Sequence, residues 1–339
     1  MTTTVPRDQI VRLMQIPESE RHAEWIESSL QSAIALELST IPPYLCGLWS
    51  IKDSTSQAAR LIRDIVLDEM FHLGLVCNML TGIGGTPGIT TAAKAQTYPG
   101  PLPGGVNPTL RVYLSGLTKE YVCGVFMAIE MPEHPVARAL EEGYPTIGAF
   151  YDALKLAFLQ VQPTISTDKQ LSAPIRKGDM LKPLTNLLDV VNAIELIKQQ
   201  GEGTAISPDA PQVPQAGEEF AHYYKFGEIY HGHTLIQVDG EWVYQGAVVP
   251  FPEVYPMGEV PQGGWPNPAS DVRGWLHDFN VAYTAILRGL DNAWAKGNQQ
   301  ALRDAVDEMP SLTLKAVPLL GHPLPGGGGN YGPEFRVTA

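Results

Sequence analysis

Cysteine is scarce in this chain: Cys46, Cys77 and Cys123 are the three in 339 residues. So small and odd a number excludes a disulfide framework and makes a reducing cytoplasm the expected compartment. Positive charge is short as well. The 23 Lys and Arg stand against 36 Asp and Glu, a formal net charge of -13, which excludes a basic footprint for nucleic acid. No apolar run approaches the roughly 20 residues of a membrane-spanning helix. The opening MTTTVPRDQIVRL lacks the continuous apolar core of a signal peptide. There is no G-x-S-x-G elbow, and GGGG at 326–329 is followed by no helical pattern of a phosphate loop. Charged residues make up 17% of the chain against 44% hydrophobic ones, which is globular composition and not disorder.

What the chain does have is helical periodicity, broken by 29 prolines and 33 glycines. Ile26, Leu30, Ala33, Ile34 and Ile41 recur at three- and four-residue steps and predict a helix over 20–52. Pro42-Pro43 should bend or locally disrupt it. A second helix over 54–81 has Ser54 as N-cap and Gly82 as its stop. The short link makes the two antiparallel. Residues 83–114 are Pro/Gly-rich, too long for a plain loop, and predict a packed cover. A third helix, 116–131, is apolar on every face (Val122, Cys123, Val125, Phe126, Met127, Ile129) and therefore buried, with Pro132 ending it. Further helices are predicted at 147–161 behind Thr146, at 186–200, at 216–232, at 270–296 and at 298–320. Asp239-Gly240 lies between alternating runs and marks a β-hairpin. The stretch 249–268 is a second proline-rich loop and the tail is irregular.

The chemistry begins where apolar faces carry the wrong residues. The stripe Ile62, Ile65, Glu69, His72, Val76, Met79 lies on one helical face, so Glu69 and His72 point into the core. Burial of such groups is costly unless they are paired or bound to metal. In the preceding helix Glu37 interrupts the stripe Ile26, Leu30, Ala33. It lies about fourteen residues before the link and Glu69 about fifteen after it, so the two come to one height; a carboxylate facing a Glu-x-x-His is half of a di-iron carboxylate site. GEEFAHYYKFGEIYHGH supplies a second Glu-x-x-His, Glu219 and His222. The fourth carboxylate is either Glu130, on the very apolar third helix, or Glu202, at the end of the helix before Glu219. Glu195 is about two turns off in height. Carboxylates bridge two cations, and imidazole suits iron, manganese and zinc. Glu228-x-x-His231 lies about half a helical rotation from Glu219 and faces elsewhere. His231 and His233 are read as exposed, His22, His134, His277 and His322 as surface or loop residues, and the cysteines as core fillers.

The strings ALELSTIPPYL, DEMFHLGLVCNMLTGIGGTP, YPGPLPGGV, FMAIEMPE, IKQQGEGT, EEFAHYYKFGEIYHG and LPGGGGNYGPEF resemble, over about 23–336, the bacterial ferritin-like family related to the iminophenylpyruvate dimer synthase of violacein-type pathways. The best-known relatives are longer and couple oxidised aromatic amino acid imines; this chain resembles their ferritin-like portion. One departure is HGH, with His233, where HGR stands in the family. The resemblance implies a ferritin-like fold, ties to natural-product biosynthesis, and Glu37, Glu69, His72, Glu219 and His222 as the metal set, with Glu130 and Glu202 both covered.

The expected architecture is one mainly α domain over 1–339. It comprises a ferritin-like four-helix bundle at about 20–232, long ordered loops, a small β-hairpin and extra C-terminal helices over about 233–339. The expected function is that of a non-haem oxidoreductase with two iron ions, manganese being the other metal considered. Dioxygen and a small organic substrate, an amino acid derivative, would be its reactants. Segments 95–110 and 249–268, with Tyr44, Tyr98 and Tyr223, would line the pocket. No membrane or nucleic-acid partner is expected, and self-association into a homo-oligomer is. Two alternatives share the helical scaffold. One is a ferroxidase or iron-handling protein. The other is a metal-free partner-binding protein in which the buried acids are satisfied by one another and by arginines such as Arg63.

Overall fold

The structure, a computed structural model, describes residues 8–132, 146–176, 179–202, 208 and 220–339. Helix α1 (Gln9–Gln15) and a 3-10 turn (Glu18–Glu20) lead into α2 (Ala23–Ser50). Helix α3 (Gln57–Gly82) returns alongside it. Its cap is Ser56, whose hydroxyl accepts the Ala59 amide, and not Ser54. α3 has the length and hydropathy of a membrane-spanning segment, but 89% of its most apolar window is buried within the protein.

α2 runs unbroken through Pro42 and Pro43, contrary to the expected disruption. Pro43 has no N–H to offer the Ser39 carbonyl four residues back. That carbonyl instead accepts the Tyr98 hydroxyl at 2.7 Å, so the Pro/Gly-rich segment repairs the helix.

The Pro/Gly-rich cover contains α4 (Ile89–Ala95), whose first amides Ile89 and Thr90 donate to the Asp291 carboxylate. The third bundle segment starts at the Thr118 cap as α5 (Lys119–Tyr121). It widens into a π-helical turn (Val122–Phe126) and closes as α6 (Met127–Ile129). Gly47 of α2 makes room for that turn, since a Cβ there would lie 2.7 Å from Phe126 Cζ. The turn leaves Cys123 exposed, which corrects its expected place in the core; Cys46 and Cys77 are buried.

α7 (Ile147–Val161) follows, capped by Thr146 as expected, then an unforeseen short hairpin of β1 (Ala173–Arg176) and β2 (Asp179–Leu181). α8 (Leu187–Glu202) continues past the predicted stop at Gly201. α9 (His222–His231) completes the bundle. The described residues close around α2 and α3 in two tiers: α7 with α8, and α6 with α9 and the π turn.

The predicted hairpin is β3 (His233–Val238) paired antiparallel with β4 (Glu241–Val248), turning at Asp239 and Gly240, both with positive φ. Glu228 is buried beneath it and accepts the Leu235 amide. The two C-terminal helices are α10 (Ser270–Lys296) and α11 (Gln299–Leu320). They pack on each other, with α10 also against α4 and α3, and α11 against α2.

Candidate metal centre

The apolar stripes of α2 and α3 bring Glu37 and Glu69 to one height, as their spacing from the link predicts. His72 stands one turn after Glu69 on the same face of α3. Glu130 ends α6, its amide still bonded to the Phe126 carbonyl at 3.2 Å. The π turn before it inserts one residue into the helical count, a rotation of about 100° for everything after it. His222 is the first residue of α9. All five side chains are buried: Glu37 5% exposed, Glu69 3%, His72 1%, Glu130 6% and His222 0%.

They form two groups that share one carboxylate. Glu37, Glu69 and His72 offer ligand atoms within 4.8 Å of one another, and so do Glu69, Glu130 and His222. His72 Nδ1 lies 3.6 Å from Glu37 Oε2 and 3.6 Å from Glu69 Oε1. His222 Nδ1 lies 2.9 Å from the same Glu69 Oε1 and 3.8 Å from Glu130 Oε2. The imidazole rings are nearly parallel, 24° apart, with centroids 5.6 Å apart.

A further ring of residues fixes these groups. Tyr44 donates to Glu130 Oε1 at 2.6 Å, and Tyr151 donates to Glu37 Oε1. Thr40 donates to Glu69 Oε2 at 2.8 Å. Behind the histidines, His72 Nε2 lies 2.7 Å from Gln200 Oε1 and His222 Nε2 lies 3.3 Å from Asp68 Oδ2. None of these residues except Tyr44, expected as a liner, was singled out by the sequence. A buried Tyr151 reads as core, and Asp68 sits next to Glu69 but on another face.

The electrostatics follow from burial and crowding. Burial opposes charge on His72, but the neighbouring Glu37 and Glu69 outweigh it and lift the imidazolium pKa to about 10. His222 is raised too, its burial overcome by Asp68, Glu130 and Glu69. Burial lifts the Glu37 carboxyl, with His72 opposing and the Glu69 charge adding. Glu69 is held well below the ordinary range because both histidines outweigh its desolvation. The Tyr44 and Tyr151 hydroxyls are pushed far up, mainly by burial and then by the carboxylates they bond, so they remain donors.

Two observations suit a divalent cation. Three carboxylates converge in a buried space, a costly arrangement without compensating positive charge. And His222 Nδ1, although close to Glu69, is not aligned with it and has no hydrogen-bond partner among the described residues. Beside the cluster is a cavity of about 30 Å³ walled by Leu36, Ile129, Ile147, Tyr151, Ile197 and the stem of Lys198. Lys198 itself is tied to Asp152 at 2.6 Å.

The remaining candidates fall elsewhere. Glu219 lies outside the described residues, and so does the side chain of Glu202, at the end of α8. Glu130, the other candidate for that carboxylate, is in the cluster. Neither 95–110 nor 249–268 lines this cavity, which is built from helices alone. Tyr98 is taken up with the Ser39 carbonyl, and Tyr223 is half-buried on α9 outside the cavity. His22, His231 and His277 are exposed. His233 and His322 are half-buried, the former 3.1 Å from the Gly246 carbonyl and the latter edge-on to Trp275. His134 lies outside the described residues. Arg63 bonds the Ser54 carbonyl and takes no part in the cluster.

A family model described as Ferritin-like matches residues 30–231, more than half of the sequence, and the chain belongs to the ferritin-like family. The structure is similar to the crystal structure of a ferritin-like protein from Caulobacter vibrioides. The TM-score is 0.66 at 23% identity, covering 92% of this chain and 97% of that one. None of the curated proteins compared with the chain matches it.

Proposed function

We propose that this ferritin-like protein is a non-haem metalloenzyme that holds two divalent ions, iron in the first instance, and oxidises a small organic molecule with dioxygen. One ion would be held by Glu37, Glu69 and His72, the other by Glu69, Glu130 and His222. The observation that carries the reading is the shared Glu69, with two imidazole nitrogens converging on one of its oxygens inside a ring of buried carboxylates. Hard carboxylate oxygens with borderline imidazoles suit iron or manganese. Reduced iron bound there would supply electrons for dioxygen.

The chain's own residues have distinct tasks. Thr40 pins one oxygen of Glu69 and leaves the other between the two rings. Tyr44 and Tyr151 each occupy one oxygen of a terminal carboxylate and leave its second oxygen facing a histidine. Gln200 and Asp68 hold the outer imidazole nitrogens, so the inner ones face the cluster. Leu36, Ile129, Ile147 and Ile197 keep bulk water out.

The resemblance to the ferritin-like portion of the violacein-type synthase makes aromatic amino acid derivatives the first substrates to offer. Anaerobic protein loaded with Fe2+ should consume dioxygen on mixing, and consume more when a substrate is present. Bound iron with no oxygen uptake would overturn the reading. A ferroxidase is the second reading, favoured by the cavity. A space of about 30 Å³ holds about one water-sized molecule, so an aromatic substrate requires its walls to part. A ferroxidase would consume oxygen in proportion to added iron and ignore organic additives.

A further inference from the structure

The two histidines are alike in what their inner nitrogens face and unlike in what stands behind them. His72 is backed by the neutral amide of Gln200, 2.7 Å from its Nε2. His222 is backed by the carboxylate of Asp68, 3.3 Å from its Nε2 and itself 3.6 Å from the Lys225 ammonium. Gln200, Asp68 and Lys225 are all buried. Elsewhere the two halves correspond: Tyr151 on Glu37 matches Tyr44 on Glu130, and Glu69 belongs to both.

Taking the cluster as a two-cation centre, we propose that its two positions are unequal and fill in order. The first divalent cation takes the Glu69–Glu130–His222 position, and Asp68 is the positioning residue that sets the sequence. A carboxylate behind an imidazole fixes the tautomer that leaves the inner nitrogen free for metal, and raises that nitrogen's basicity. An amide oxygen fixes the tautomer alone. The carboxylate's negative charge also attracts a cation held at the inner nitrogen, which a neutral amide does not. Lys225 places its ammonium 3.6 Å from the Asp68 carboxylate and so helps hold that carboxylate in place.

The test is a titration of the full chain, stripped with a chelator, with Co2+ under argon, following the visible absorption of the bound ion. Two steps at least about tenfold apart are expected. His222→Ala should remove the tighter step and His72→Ala the weaker. Asp68→Asn should weaken the tighter step by about 10–100-fold, the usual loss for such an outer partner, with little change in the weaker. Gln200→Glu should strengthen the weaker step, and it keeps the idea open to refutation if Asp68→Asn does not fold. Two equal steps, or unequal steps that Asp68→Asn and Gln200→Glu both leave in place, would overturn the order of filling while leaving the two-cation centre intact. A chain that takes up neither Co2+ nor Fe2+ would instead overturn the centre itself.

Discussion

The Tyr44 hydroxyl donates to Glu130 Oε1 at 2.6 Å and so joins the C-terminal half of α2 to the end of the third bundle segment. Tyr151 does the same for Glu37 from α7. Both tyrosines are wholly buried, so neither carboxylate regains its lost partner from water. Tyr44→Phe and Tyr151→Phe should each cost about 1.5–3 kcal/mol in the metal-free protein, the range for a hydrogen bond to a charged group. Urea denaturation reads this directly. Because the hydroxyls orient the proposed ligands Glu130 and Glu37 without being ligands themselves, both variants should still bind metal, more weakly.

Tyr98→Phe separates helix repair from the metal centre. It leaves the Ser39 carbonyl without the donor that replaces the missing Pro43 amide. A loss of about 1–3 kcal/mol is expected, as for any orphaned buried acceptor. The metal content should be unchanged, since Tyr98 does not line the cavity.

The raised histidines predict how the metal-free protein responds to pH. His72 keeps its proton up to about 10 in the folded state, against 6.5 as the ordinary value, and His222 is shifted the same way. The folded state therefore binds more protons between these limits. The contribution to stability is complete below 6.5 and is lost as pH rises towards 10. The urea midpoint of metal-free protein should fall steadily from pH 6.5 upward. Metal must displace these protons, so loading should release acid and bind more tightly as pH rises.

Much of the centre was legible because buried charge breaks an otherwise apolar stripe. Glu37, Glu69 and His72 betray themselves that way, and counting from the link gave their common height. The Glu-x-x-His pattern led to His222, and the apolarity around Glu130 made it a candidate. The helices at 147–161, 270–296 and 298–320 were readable from periodicity and stops. The π turn was not. Its sequence, VCGVF, looks like any buried helix, and only packing against Gly47 and Tyr44 shows the extra residue. Cys123 was misplaced for that reason. Pro42-Pro43 misled in the other direction, because the donor that restores the helix lies far along the chain at Tyr98. The length of the proline-rich loops suggests a pocket cover, whereas the bundle helices wall the cavity. Gln200 left no trace, since an amide near a helix end carries no pattern of its own.

The shared carboxylate is the most direct point of attack. Protein stripped and reloaded anaerobically with Fe2+ should hold about two ions per chain, Glu37→Gln about one, and Glu69→Gln close to none, because Glu69 is common to both groups of candidate ligands. Parallel far-UV spectra establish that the variants are folded. A parent chain that holds no iron, or a folded Glu69→Gln that holds as much as the parent, would contradict the account.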